Sequence, residues 1–209
     1  MCIRDRTYGI NYLDEVFVHG FLTIEGSKMS KSKGNFILAD KALTFAHPDY
    51  YRYYLCSKLN TDISDIDFSV DDFIQKINSD LIGKFINIGS RTQNFLVKLN
   101  SSKVASGNIS KSLEFKKNYE EIINLIDRKE YSKALKNIMN IADKINAYVS
   151  TEEPWNKAKN GEENECIAIC SEALNVFKDL TILLQSFIPS IADKIFSCLL
   201  YTSPSPRDL

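Results

Sequence analysis

The sequence predicts a mainly α protein: a short β segment toward the N-terminal side, followed by an antiparallel helical bundle. Three observations point there. Residues that are β-branched or aromatic concentrate in VFVHGFLTI, residues 16–24. From residue 69 onward, apolar residues recur at helical spacing through most of the remaining chain. The interruptions between those stretches are short, as connections between bundled helices are.

Taken in order, residues 16–24 read as strand, and Glu25-Gly26 supplies a turn after it. ILADKALTFA reads as a short helix, and His47-Pro48-Asp49 starts another, with proline in its first turn. NTDISDIDFS is an acidic connector and the expected domain boundary. Ser69-Val-Asp-Asp72 has the form of a capping box, with Asp in place of the usual Glu. It opens a long helix on which Phe73, Ile77, Leu81, Phe85, Ile88, Phe95 and Leu99 share an apolar stripe. LNSSKVASGNIS is a loop. Helices follow at 112–127 and 130–149, the second turning Leu135, Ile138, Ala142, Ile145 and Val149 inward. Pro154 interrupts the pattern, because the residue before a proline resists the helical region. A further helix covers 162–186, and Pro189 begins the last.

Composition narrows the function classes. Lys and Arg total 26 against 27 Asp and Glu, so a nucleic-acid partner needs a local basic face rather than overall charge. The five cysteines form no C-x-x-C and only two histidines exist, so no metal site is expected in this chain. Cys166 and Cys170, one turn apart amid apolar residues, read as small core side chains in a reducing compartment. No apolar run approaches the roughly 20 residues that span a bilayer. MCIRDR lacks a signal peptide's apolar region, so no membrane association and a cytoplasmic location are expected. Both ends, MCIRDR and CLLYTSPSPRDL, resemble translated adapter sequence; an ordinary Pro- and Ser-rich tail is the other reading of the second. Residues 1–6 and 198–209 are set aside from the fold reading.

The stretch GSKMSKSKGN, residues 26–35, places three lysines within six residues. It can be a solvated turn, a short basic patch or an anion clamp. As a clamp, Gly26 and Gly34 let the backbone bend, the serines donate, and lysines bring movable charge to a polyphosphate. The spacing is not that of a P-loop. Farther on, Asp80, Lys84, Asn87, Arg91, Asn94 and Lys98 fall on one helical stripe away from the apolar one. That stripe is either the wet side of an amphipathic helix or a base-reading face, since Asn and Arg carry the donor sets that read base edges. Trp155, the single tryptophan, is either an anchor of the bundle or a flat ring for an unstacked base.

Lys28-Met29-Ser30-Lys31-Ser32 matches the signature loop of the class I aminoacyl-tRNA synthetases. With DYYRYYL, DIDFSVDDF and NSDLIGKFINIGSR following in order, residues 8 to 197 most resemble the methionyl-tRNA synthetase family. The resemblance implies that residues 7–68 are the end of a Rossmann-type α/β catalytic domain with its stem-contact connection. Residues 69–197 would be a helical anticodon-binding domain. It implies ATP with Mg2+, methionine and tRNA(Met) as ligands. Lys31 and Lys28 would stabilise departing pyrophosphate, with Met29, Ser30 and Ser32 shaping the ATP-binding loop. Asn87 and Arg91 would bond anticodon bases, and Trp155 would stack near the first of the CAU triplet. The family's HIGH-type signature, methionine pocket and zinc-knuckle insertion lie upstream of such a loop, and none is found here. These 209 residues alone are therefore expected to be inert in amino-acid activation. Oligomeric state is left open. Two rivals stand beside this reading: another class I synthetase (leucine, valine, isoleucine or cysteine), and a noncatalytic RNA-binding helical module.

Overall fold

A computed structural model describes residues 17–30, 32, 34–100, 104, 105 and 110–200. The β segment is smaller than the sequence suggests. Strand β1 is only Leu22–Ile24, and it pairs antiparallel with β2, Ser27–Lys28. The turn between them holds Glu25 at φ 47° and Gly26 at φ 72°, the two positive angles of the tight turn that matches strand twist. Two short helices follow, α1 (Ala39–Phe45) and α2 (Pro48–Lys58). The acidic connector then contributes a strand that its composition concealed. Strand β3, Ile66–Phe68, runs parallel to β1 and completes a sheet of order β2-β1-β3.

Ser69 stands at the N-cap of α3 (Val70–Lys76), but its side chain makes no capping bond. The expected capping box does not form, because Asp72 is engaged by Lys58 at 2.6 Å and by the Tyr54 hydroxyl at 2.8 Å. Glu25, from the hairpin turn, instead accepts the Val70 N–H. The hairpin is thereby tied to the first helix of the bundle.

The long helix expected from residue 69 is three segments in series. After α3 comes a π-helical stretch, Ile77–Ile86, and then α4, Asn87–Leu99. A π turn takes in more residues than an α turn and is frequent at functional sites. Phe73, Ile77, Leu81, Phe85 and Ile88 are buried as expected, whereas Phe95 and Leu99 are half-buried and Leu96 takes the core position. The remaining bundle helices are α5 (Ser110–Asp127), α6 (Tyr131–Glu152), α7 (Pro154–Lys159), α8 (Glu163–Leu184) and α9 (Pro189–Leu200).

Helix α8 is the hub, with Cys166, Cys170, Ala173, Val176, Leu180 and Leu184 fully buried. Burial pushes the Cys166 and Cys170 thiols up, away from the reactive thiolate. The buried Glu172 side chain accepts the Ser110 hydroxyl at 2.7 Å and the Lys111 N–H, capping α5. The last helix folds back onto the second: Asp49 is buried and accepts the Ile191 N–H at 2.9 Å.

Gly89 is a point of close approach between α4 and α8, since a Cβ built there would lie 3.2 Å from the Phe177 ring. Phe177 itself lies against Phe85, with ring centres 4.8 Å apart and planes tilted by 35°, which limits its retreat. Gly89→Ala is expected to lower stability by about 1–3 kcal/mol through overpacking, read as a lower urea midpoint at unchanged slope. An unchanged midpoint would mean that the ring moves aside freely.

Candidate phosphate loop and base-reading face

The lysine stretch begins within β2, where Lys28 pairs with Thr23. Its position is set by a local polar net. Asp67 on β3 accepts the Thr23 hydroxyl at 2.6 Å and the Gly26 N–H at 2.8 Å. Those two donors hold its carboxyl below the usual carboxylate range. Beyond the strand, Asn35 closes the loop, accepting from the Ser30 N–H at 2.8 Å and donating to the Lys28 carbonyl. The Ser30 and Ser32 hydroxyls share a 2.8 Å bond. Met29 is half-buried and lines an apolar cleft with Leu22, Ile37, Leu43 and Phe68. Lys28 is exposed, with its Nζ 4.2 Å from the centre of the Phe21 ring. No carboxylate pairs with it among the described residues. An unneutralised ammonium beside two hydroxyls and turn glycines fits a phosphate group. Lys31 lies outside the described residues, as does Lys33.

Because the folded-state value of Asp67 is depressed, its contribution to the hairpin is present above the unfolded carboxyl value of about 3.9. It is lost as pH falls through the lower folded value. The Gly26 amide resonance is therefore expected to titrate with a midpoint below about 3.9. A midpoint at the free-carboxyl value would show that the bond contributes nothing.

The second site is built between two helices that run in the same direction. Lys84 Nζ reaches Asp143 at 2.7 Å, Asn87 Nδ2 reaches Asn146 Oδ1 at 3.3 Å, and Arg91 Nη2 reaches Ser150 Oγ at 3.1 Å. Each pair is separated by 59 residues, so the rungs climb the π segment and α4 on one side and α6 on the other. Asn146 is the central brace. Its Nδ2 donates to the Lys84 carbonyl at 2.8 Å and to the Ala142 carbonyl at 2.9 Å. With its own amide so engaged, it can only accept from Asn87, which leaves Asn87 an oxygen and one N–H for a ligand.

Trp155 joins this ladder from α7. The chain leaves α6 through Glu153, whose φ of 46° is left-handed for a residue with a Cβ, and Pro154 then starts α7. That turn brings Trp155 back over the ladder, half-buried, with the Arg91 guanidinium 5.3 Å from its ring centre. Asn87, Arg91 and Trp155 are thus gathered into one polar cluster that stays accessible. Asp80 is not part of the wet stripe. It is buried, accepts the Tyr53 hydroxyl at 2.8 Å and pairs with Lys76 at 2.9 Å. The π stretch changes the helical phase there, which an α-helical spacing could not anticipate. Burial, with the Asp80 carboxylate beside it, pushes the Tyr53 phenol up and keeps it a donor. Asn146 and Ser150 were missed in the sequence because nothing local marks them; their constant offset from Asn87 and Arg91 was the available signal.

Among the described residues no helix is long and apolar enough to cross a membrane. Comparison with known proteins bears on both sites. Residues 3–93 match the family of class I (M) tRNA synthetases, and residues 102–206 match the anticodon-binding domain of methionyl tRNA ligase. Over 184 residues the chain is 44% identical to a methionine–tRNA ligase of Ralstonia nicotianae, covering 86% of this chain and 27% of that protein. It is 42% identical over 179 residues to one of Psychrobacter cryohalolentis, covering 84% of this chain and 26% of that one. The chain therefore spans about a quarter of the length of these curated relatives. Methionyl-tRNA synthetase of Mycobacterium tuberculosis, solved with methionyl-adenylate, superposes with a TM-score of 0.77 over 93% of this chain and 40% of that one. At 23% identity that likeness establishes the shared fold. The small sheet and hairpin at one end, the bundle with its polar ladder at the other and the two family matches in series agree: the chain belongs to the methionyl-tRNA synthetase family.

Proposed function

We propose that this chain is the pyrophosphate-loop and anticodon-reading portion of a methionine–tRNA ligase, which activates methionine with ATP and transfers it to tRNA(Met). The observation that carries the proposal is the convergence of Asn87, Arg91 and Trp155. Three positions from two separated parts of the chain meet within one cluster, with the Arg91 guanidinium 5.3 Å from the indole. A ring beside a fork of N–H donors is the arrangement that takes up an unpaired base, by stacking and by edge recognition. Asn87, held by Asn146, presents one acceptor and one donor, which suits discrimination among bases. The triplet read is CAU, and Trp155 stacks near its first base.

At the other end, residues 7–68 form the close of a Rossmann-type catalytic domain. Lys28 and Lys31 bind the β- and γ-phosphates of ATP, more strongly as charge builds on the departing pyrophosphate. Magnesium bound with the nucleotide supplies further neutralisation of that charge. Ser30 and Ser32 hold the loop's shape, as their mutual hydrogen bond supports.

The test is direct binding of the 209-residue chain to an RNA hairpin whose loop presents CAU, against hairpins with the triplet permuted. Preference for CAU by at least about tenfold, or roughly 1.4 kcal/mol, is the expected result. Equal affinity for all triplets would overturn the base-reading assignment.

A further inference from the structure

Below the last rung of the ladder lies a polar cleft of about 330 Å³ that the base-reading assignment does not use. Its walls come from α2, α3, the π segment and α6, and Lys76, Lys84 and Lys136 line it together with the Asp80 side chain. Ser132 and Asn140 add a hydroxyl and a carboxamide. We infer that this cleft is a phosphodiester subsite, holding the RNA backbone beside the nucleotides whose bases the Asn87–Arg91–Trp155 cluster reads. The inference rests on that reading of the cluster.

Charge selects the ligand. Lys76 is paired with the buried Asp80 at 2.9 Å, and Lys84 with Asp143 at 2.7 Å. Lys136 is exposed and joins none of the ion pairs among the described residues. Three ammonium groups against two carboxylates leave about one unit of positive charge, centred on Lys136. A phosphodiester carries a single negative charge, whereas a terminal phosphate near neutral pH carries about 1.5 to 2. The cleft matches the former. Position selects the source. Lys84 belongs both to the cleft and to the ladder, because its carbonyl accepts from the Asn146 that braces Asn87. A strand whose bases sit at Asn87 and Arg91 therefore carries its phosphates past Lys84 toward Lys136. Phosphate contacts position a strand while base contacts specify it.

The test is fluorescence anisotropy of the CAU hairpin and its permuted relatives, titrated with the 209-residue chain and its Lys136→Gln and Lys136→Arg variants at several salt concentrations. Losing one phosphate contact is expected to weaken binding about fourfold at 0.15 M salt, and to make the logarithmic salt slope shallower by roughly 0.7. The loss should be equal for every triplet, and Lys136→Arg should restore both quantities. Unchanged affinity and slope in Lys136→Gln, or a loss confined to CAU, overturns the subsite. So does a Lys136-dependent affinity for inorganic phosphate or pyrophosphate with hairpin binding untouched, which would make it a free-phosphate site. A chain that binds all triplets alike, with a slope that still depends on Lys136, keeps the subsite and removes the base-reading assignment instead.

Discussion

Trp155→Ala is expected to weaken binding of a CAU-presenting hairpin by about 5- to 150-fold, the worth of one base–aromatic stack at roughly 1–3 kcal/mol. The indole is half-buried and lies beside the Arg91 guanidinium, so its removal takes away the stacking surface and one of the contacts that hold the arginine, leaving its bond to Ser150. The loss should fall on discrimination: affinity for CAU drops toward that for permuted triplets, while the salt slope stays as it was, because no phosphate contact is removed. The ring also packs against the bundle's core, so the urea midpoint should fall modestly, while circular dichroism stays as it was. A large fall in stability with discrimination intact would make Trp155 an anchor of the bundle and nothing more. That outcome is the bland alternative its sequence position left open.

In a synthetase carrying this segment, Lys31→Ala is expected to slow adenylate formation by about 10²–10³, the worth of one preorganised donor to a developing oxyanion at roughly 3–4 kcal/mol. Lys28→Ala should act in the same direction. The Michaelis constant for ATP should change far less, because a contact that strengthens as pyrophosphate departs acts on the chemical step. Magnitudes show that Lys28 is available for this. An ammonium over an exposed phenyl ring gains about 0.5–1 kcal/mol, so leaving Phe21 costs much less than the phosphate returns. No carboxylate pairs with it among the described residues, so no ion pair has to be given up either. Pre-steady-state measurement of pyrophosphate formation separates the outcomes: equal losses in binding with an unchanged chemical step would falsify the assignment.

Much of the architecture was legible because its signals are local. The turn at Glu25-Gly26, the proline start of α2, the interruption before Pro154 and the helix start at Pro189 each follow from backbone restrictions written into single residues, whereas the short helix α7 after Pro154 was not foreseen. The signature loop was legible for the same reason, since it reads as a contiguous string. Elements that depend on distant partners misled. The connector IDF looked like an acidic linker, but a parallel partner 44 residues earlier makes it a strand. Ser69 looked like half of a capping box, yet Asp72 finds a stronger partner in the Lys58 ammonium, which is a non-local choice.

By itself the sequence determined which segments coil, where they stop, and which residue types are on hand to meet a phosphate or a base. Those properties depend on neighbours one to four positions away, and helical periodicity reports them faithfully. Only the tertiary structure decided that Asn87 and Arg91 would be braced by Asn146 and Ser150, and that Asp80 would be drawn inward to Tyr53. It also decided that three lysines, from α3, the π segment and α6, would share one cleft. These outcomes depend on the phase set by the π stretch and on two parallel helices meeting at a fixed offset. Energies summed over many distant contacts choose that phase and that meeting, and no window along the chain contains them.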